Sequence, residues 1–277
     1  MSPGKFAVTL AIALVLIPVL VLAKSPPLGH KFTCLQTFYS DHIKDGKVNY
    51  SSLALKKKEF RECLSSFNIQ ENVYEGFSLD QKRAYWINAY NALVLFVVID
   101  NYPIKAEDSL YSKFPENSPM SIKGAWTDIK MKSAIGKVTL SRIENNILPG
   151  LGEPLFIFAI SNGTKGGAPL SDKVYTHENL SRQLEQVASR FLKKEENISV
   201  SPDGKTVIVS RYIKNHSILF EGRFLKKGQY LRRTNEEITL MNLMLHYCGE
   251  NVASVIRGNK FQFEWKEIDW SLNDLLN

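Results

Sequence analysis

The sequence predicts a single α+β domain. Hydrophobic residues make up 44% and charged residues 23% of the 277 positions, as is typical of a folded globular protein. One segment, residues 84–99, is apolar on nearly every helical face and predicts a buried central helix. Short segments of alternating polarity elsewhere predict small strands. Because neither a repeat nor a composition break divides the chain, we expect one α+β domain over residues 43–277, preceded by a lead and first helix at 24–42.

The first 23 residues have the pattern of a secretory signal peptide. Lys5 precedes an apolar run from Phe6 to Leu22, and Val21-Leu22-Ala23 places short side chains before a cleavage site. We expect cleavage after Ala23 and a secreted or periplasmic protein. The alternative is an uncleaved anchor, because the run approaches the roughly 20 residues that cross a bilayer. This anchor is the one membrane contact that we expect.

The cysteines are Cys34, Cys63 and Cys248, without a C-x-x-C motif or a metal-ligand spacing. Export to an oxidising compartment allows one pair to close. Cys34 and Cys63 lie on two adjacent predicted helices, so we expect them to form a disulfide and leave Cys248 free. The alternative is three buried thiols.

Asparagine-linked glycosylation depends on the host. The N-x-S/T sites are Asn49, Asn162, Asn179, Asn197 and Asn215. In a eukaryotic secretory pathway the protein is predicted to be a glycoprotein, whereas in a bacterium these sites have no meaning.

The N-terminal half is predicted to be mainly helical. Helical periodicity covers residues 32–43 and 53–67, with a turn at Asp45-Gly46 between them. Ser78 and Gln81 form a capping box at the start of the central helix. Short strands are expected near residues 126–131 and 137–140.

The C-terminal half alternates between helices and strands. Ser141 and Glu144 are read as a second capping box that opens a helix to Leu148. The further expectations are a buried strand at 154–160, a polar loop at 161–172, a helix at 180–191, a hairpin of 198–200 with 206–209, a helix from Thr234 to near Gly249, and a strand at 261–265.

Two asparagines lie on one face of the central helix. Asn88 and Asn91 are three residues apart, and each buried amide costs roughly 1–3 kcal/mol if it is left unpaired. Backbone groups of neighbouring loops are one explanation. The other is a polar cleft wall, with Trp86 and Tyr90 beside it.

Other candidate ligand-binding residues are Glu144, Asn162 and Lys165. Glu144 is either a general acid/base or simply the capping residue of its helix. Residues 161–169, the glycine loop, follow a predicted buried strand, and their backbone N–H groups are candidates for holding an anion. We expect Asn88 and Asn162 to face one concavity, with Lys165 at its rim favouring anionic ligands.

Several classes of function lack support. The net charge of +7 does not identify a nucleic-acid binder, so we expect no nucleic-acid partner. The histidines form neither H-x-x-x-H nor H-E-x-x-H, and G-x-S-x-G is missing, so no metal site, cofactor or catalytic triad is predicted.

Several strings resemble the domain-of-unknown-function 547 family. They include residues 46–50, the Trp-Ile-Asn-Ala-Tyr-Asn-Ala-Leu string at 86–93, and residues 140–148, and the resemblance extends from Ile43 to the C-terminus. It implies an α+β fold similar to the papain/transglutaminase-type cysteine hydrolases, in which a buried central helix packs on a small antiparallel sheet. Members of the family are commonly exported in bacteria.

The sequence departs from the family pattern where cysteine chemistry would reside. Ile157 stands in place of a histidine, and Asn162 and Gly167 stand in place of two cysteines. Ala168 replaces a proline and Pro149 an arginine. An amide cannot act as a thiolate nucleophile, and isoleucine cannot act as a base. The resemblance therefore implies a catalytically degenerate domain that binds a small molecule or peptide. The alternative is an active hydrolase or amidase-like enzyme that uses Glu144 with a hydroxyl such as that of Thr164.

Overall fold

A computed structural model describes residues 32–105 and 113–276. Within them the chain is a mixed α+β protein with more helix than strand, as the sequence predicts. The expected signal peptide lies outside the described residues. The α-helices are α1 (Thr33–His42), α2 (Tyr50–Leu55), α3 (Lys57–Leu64), α4 (Glu71–Glu75), α5 (Leu79–Asp100), α6 (Leu140–Arg142), α7 (Leu148–Gly150), α8 (Leu180–Leu192), α9 (Arg211–Asn215), α10 (Ser217–Phe224), α11 (Asn235–Tyr247) and α12 (Glu250–Gly258).

Helix α5 is the buried centre of the fold. Both bonds of its predicted capping box are present: the Gln81 N–H donates to Ser78 Oγ (3.2 Å), and the Ser78 N–H donates to Gln81 Oε1 (2.8 Å). Nearly every side chain from Ala84 to Ile99 is buried. The helix packs closely on α2, on α3 and on the segment 140–150. None of the helices in the two described ranges combines the length and hydrophobicity that a bilayer crossing requires.

A disulfide joins the two N-terminal helices α1 and α3. It links Cys34 to Cys63, whose Cα atoms are 5.9 Å apart, and so confirms the predicted pairing. Cys248 is free and donates its thiol to the Leu192 carbonyl (3.4 Å). Burial raises the pKa of this thiol from 9.0 to about 12. The alternative of three thiols is wrong.

The strands form small separate sheets. The hairpins pair β1 (Ile43–Lys44) with β2 (Lys47–Val48), and β3 (Met131–Ser133) with β4 (Gly136–Val138). A third sheet contains β5 (Ile198–Val200), β6 (Thr206–Ser210) and β7 (Gln262–Lys266).

The third sheet is mixed. β5 and β6 form the predicted antiparallel hairpin, but β6 and β7 run parallel. This sheet is therefore not the small antiparallel sheet that the resemblance implies. A parallel pair needs a long crossover, and helices α9 to α12 provide it.

The apolar run at 154–160 is not a strand. Pro154–Phe158 forms a 3₁₀-helix, and the Glu153 side chain caps it by accepting the Leu155 N–H (3.1 Å). A short apolar run is compatible with either a buried strand or a buried helical turn, so its periodicity could not decide. The predicted strand at 126–131 likewise begins only at Met131, and the predicted helix at 53–67 is split between α2 and α3.

The second predicted capping box is also wrong. Thr139, and not Ser141, caps the helix by accepting the Arg142 N–H (3.2 Å). The chain then passes from α6 into a π-helical turn at Ile143–Ile147 and on into α7. Glu144 thus lies within the π-helical turn, and capping does not explain it.

The C-terminal tail, residues 268–276, is inserted between the glycine loop and the β1–β2 hairpin. The Gly166 N–H donates to the Asp269 carbonyl (2.8 Å), and the Val48 N–H donates to the Asn273 carbonyl (3.0 Å). A Cβ atom on Gly166 would lie 2.5 Å from the Asp269 nitrogen. Glycine is therefore required where the loop and the tail meet.

Candidate functional site

The two asparagines of α5 bind backbone groups. Asn88 donates to the Tyr175 carbonyl (2.7 Å) and accepts the Tyr175 N–H (3.0 Å). Asn91 donates to the Ala159 carbonyl (2.9 Å) and accepts the Ser161 N–H (2.8 Å). Each amide thus pairs with main chain as another peptide group would. Of the two explanations, the structure shows the one with backbone partners.

The expected concavity between Asn88 and Asn162 is not present. Asn88 is 0% exposed, so it does not line a cleft. The Asn162 side chain accepts the N–H (3.1 Å) and the hydroxyl (2.7 Å) of Thr164 within the glycine loop. The loop meets α5 through Ser161, and its later residues pair with the tail.

Trp86 and Tyr90 are core residues. Trp86 is fully buried and donates its indole N–H to the Tyr74 hydroxyl (2.8 Å). Tyr90 is fully buried and donates its hydroxyl to Glu144 Oε2 (2.8 Å). Neither side chain is a cleft wall, but Tyr90 reaches a carboxylate that is partly exposed.

A cleft lies where the β1–β2 hairpin, the glycine loop, the tail and the edge of the third sheet meet. Its volume is about 390 Å³, and we call it the loop cleft. Thr164, Asn197, Ser210 and Asn273 contribute to its polar lining. The charged lining residues are Lys47, Lys165, Lys194, Lys266, Asp45, Glu196, Glu267 and Asp269.

Several of the carboxylates in the loop cleft already have partners. Glu196 pairs with Lys194 (3.0 Å), and Glu267 pairs with Arg211 Nε (2.5 Å). Burial would raise the pKa of Asp269, but hydrogen bonds from Ser271 and the nearby Lys165 ammonium hold it below its usual value.

Three lysines of the loop cleft form no ion pair within 4.0 Å among the described residues: Lys47, Lys165 and Lys266. Lys266 donates to the Glu196 carbonyl (3.0 Å), and Lys165 is near enough to Asp269 to lower the pKa of that carboxyl. Lys47 belongs to the hairpin and Lys165 to the glycine loop, so they contribute positive charge to two different walls.

The backbone of the glycine loop does not offer an anion site at residues 163–166. The Gly163 and Thr164 N–H groups donate to the side chains of Ser161 and Asn162. The next two N–H groups, at 165 and 166, donate to carbonyls of the tail. The expectation of a backbone anion site is therefore wrong for these four groups, and an anion in the loop cleft would have to bind side chains.

A second polar cluster surrounds Glu144. Its Oε1 atom lies 3.9 Å from Nε2 of His216, and the two side chains are 21% and 24% exposed. We call them the Glu144–His216 pair. The proposed partner Thr164 is buried and donates its hydroxyl to Asn162, so it is not part of this cluster.

The surroundings of the Glu144–His216 pair fix its orientation. His216 Nδ1 lies 2.7 Å from the Tyr212 carbonyl, so in the neutral imidazole Nδ1 carries the hydrogen and the Nε2 lone pair faces Glu144. Burial, together with the charge of Glu144, raises the pKa of Tyr90 far above its usual value, so this phenol remains a donor. The Trp126 indole N–H lies 3.4 Å from the same phenol oxygen.

Tyr212 connects residue 157 with the glycine loop. Its buried hydroxyl donates to the Ile157 carbonyl (2.8 Å) and accepts a hydrogen bond from the Ala168 N–H. A Cβ atom on Gly167 would lie 2.3 Å from Oδ1 of Asn162. The Asn162 side chain thus occupies the space that a side chain at position 167 would need, so position 167 requires glycine.

These features define a class: a mixed α+β domain with one buried central helix, a cleft lined by lysines and carboxylates, and a Glu–His pair. Residues 74–192 match the model of the family described as "Protein of unknown function, DUF547". This part of the chain, from α4 to α8, is similar to that family, which confirms the resemblance seen in the sequence over these residues. It contains Glu144 and the glycine loop but not His216 or the tail. No curated protein and no solved structure matches the chain. In the described residues, no group of three potential ligands is placed to hold a metal ion.

Proposed function

We propose that this chain is an exported, catalytically degenerate member of its family that binds an anionic small molecule or peptide in the loop cleft. The observation that carries this proposal is that two ammonium groups without an ion pair within 4.0 Å, those of Lys47 and Lys165, lie on two walls of one cleft. The core would be a variant of the papain/transglutaminase-like arrangement.

Two features support export. The apolar N-terminal segment ends at a cleavage pattern after Ala23, and the Cys34–Cys63 disulfide is typical of an oxidising compartment. N-terminal sequencing of the protein from its native compartment tests this, and we expect it to begin at Lys24. An intact Met1 would favour the membrane anchor instead.

The residues at the positions where the sequence departs from the family pattern support the loss of catalytic activity. Ile157 is a buried hydrocarbon and Gly167 has no side chain, while the Asn162 amide is occupied within its own loop. None of the three supplies a nucleophile or a base.

The ligand would carry carboxylate or phosphate groups, because ammonium side chains recognise them. Titration calorimetry with succinate, inorganic phosphate, and a peptide with a free or an amidated C-terminus tests this. We expect Lys165→Ala and Lys47→Ala each to weaken binding several-fold. Lys137→Ala, a change at an exposed lysine in β4, should leave it unchanged. Equal affinities in all three variants would reject the loop cleft as the binding site.

A second candidate function is a hydrolase or amidase-like activity that uses a non-cysteine constellation. The Glu144–His216 pair favours it, because a carboxylate beside an imidazole is a common acid/base arrangement. Turnover of ester, amide or peptide substrates that disappears in Glu144→Ala would reject the degenerate proposal.

A further inference from the structure

We infer that His216 is the general base of a hydrolytic site in which water attacks carboxylic esters with an apolar acyl chain. This inference rests on the second candidate function, which is the alternative to the catalytically degenerate one, and assigns its base, its nucleophile and its substrate class. Glu144 would hold the imidazolium that forms when His216 accepts a proton.

The distance within the pair favours a bound water as the nucleophile. The Nε2 and Oε1 atoms are 3.9 Å apart, which is too far for a direct hydrogen bond. Both atoms are acceptors, since the hydrogen on the imidazole is directed from Nδ1 to the Tyr212 carbonyl. One water molecule about 2.8 Å from each atom can donate one hydrogen to each. Such a water would be oriented by two acceptors, and it could exchange with solvent because both side chains are partly exposed.

The pair is held by buried groups. Tyr90, at 0% exposure, donates to the far oxygen of Glu144, and the Trp126 indole N–H is directed at the same hydroxyl. Glu144 also lies in a π-helical turn, a rare local structure that is frequent at functional sites. The titratable groups that contact His216 are Glu144 from the π-helical turn and Tyr212 from α9, and Tyr90 from α5 contacts Glu144.

The proposed reaction consumes one water per ester. Nε2 of His216 takes a proton from the water while the water oxygen bonds to the carbonyl carbon, and the C=O π electrons move to the carbonyl oxygen. When the tetrahedral intermediate collapses, the bond to the alcohol oxygen breaks and Nε2 returns the proton to that oxygen. The products are a carboxylic acid and an alcohol, and His216 is regenerated.

A cavity of about 550 Å³ suggests the acyl group. Its apolar lining is Pro149, Pro154, Phe156 and Leu219, and Gly152, Gly222, Glu153 and Arg223 complete it. Leu219 follows His216 by three residues and Pro149 follows Glu144 by five, so the two segments that carry the pair also contribute to this lining. Its Arg223 already pairs with Glu185 (2.7 Å), which favours an uncharged chain over a carboxylate.

The experiment measures the hydrolysis of p-nitrophenyl butyrate and p-nitrophenyl acetate by the purified protein. We expect the butyrate to be preferred in kcat/KM and His216→Asn to lower kcat/KM about 100-fold or more. The matched control is His177→Asn, because His177 also lies beside a carboxylate, that of Glu178 (3.3 Å), and should keep full activity. Thermal melting verifies that each variant folds.

A second readout separates the two members of the pair. Glu144→Gln should lower kcat with little change in KM, because the carboxylate that stabilises the imidazolium in the transition state is gone while substrate binding is kept. Wild-type turnover that survives His216→Asn but is lost in Glu144→Gln would overturn the role of His216 and leave the second candidate function standing. No wild-type turnover above the buffer rate would overturn both.

Discussion

Asn88 and Tyr175 are joined by two reciprocal hydrogen bonds, 2.7 and 3.0 Å long, between one side-chain amide and one peptide unit. The chain is thereby fastened to the central helix at a point 87 positions further along the sequence. We therefore expect Asn88→Leu to destabilise the protein by about 2–5 kcal/mol, since the peptide N–H and C=O would both remain buried and unpaired. Urea denaturation measures the loss. Asn251→Leu, at an exposed position in α12, is the control and should change the free energy of unfolding by less than about 0.5 kcal/mol. A small effect of Asn88→Leu would show that these bonds are dispensable.

Gly166 lies where the glycine loop contacts the tail. Its added Cβ atom would be 2.5 Å from the Asp269 nitrogen and 3.0 Å from the Asp269 carbonyl oxygen, and backbone atoms cannot yield as a side chain can. Gly166→Ala should therefore lower the free energy of unfolding by about 1–3 kcal/mol. Gly150→Ala is the matched control, because no heavy atom lies within 4 Å of its added Cβ, and the change should be neutral or slightly stabilising. If the two variants unfold at the same urea concentration, the loop and tail are not packed as described.

The three cysteines should be distinguishable by labelling. The native protein should react slowly with iodoacetamide at pH 8, because burial raises the pKa of Cys248 to about 12 and keeps it as a thiol. Denaturation should release one reactive thiol per chain, and added reductant should release three. Three thiols without reductant would contradict the disulfide.

Replacing Cys34 and Cys63 with serine should cost about 2–4 kcal/mol of stability.

The glycosylation sites differ in exposure. Asn179 and Asn215 are exposed, whereas Asn197 is buried and donates its amide to the Phe191 carbonyl (2.9 Å). When the protein is secreted from a eukaryotic cell line, we expect glycans on the two exposed sites and none on Asn197 in the folded fraction. Mass spectrometry before and after glycosidase treatment measures occupancy. A folded protein with a glycan on Asn197 would contradict the burial of that site.

The candidate site was only partly readable from the sequence. Glu144 and Lys165 could be selected, because each stands out within its own segment. His216 could not, since its relation to Glu144 depends on two segments 72 positions apart that share no local spacing. The cleft was expected beside Asn88 but lies beside the tail. Nothing in the loop sequence indicates that Gly166 and its neighbours pair with the last residues of the chain.

The sequence by itself determined the features that depend on residues close together in the chain. The capping boxes at Ser78 and Thr234, the periodicity of α8 and the burial of α5 depend on residues one to four positions apart, and all are present in the structure. Tertiary structure decided what depends on distant partners. It made residues 154–158 a 3₁₀-helix, placed β7 parallel to β6, and paired Asn88 with Tyr175. A buried polar group needs a partner wherever the chain can supply one, and local spacing does not say where that partner lies.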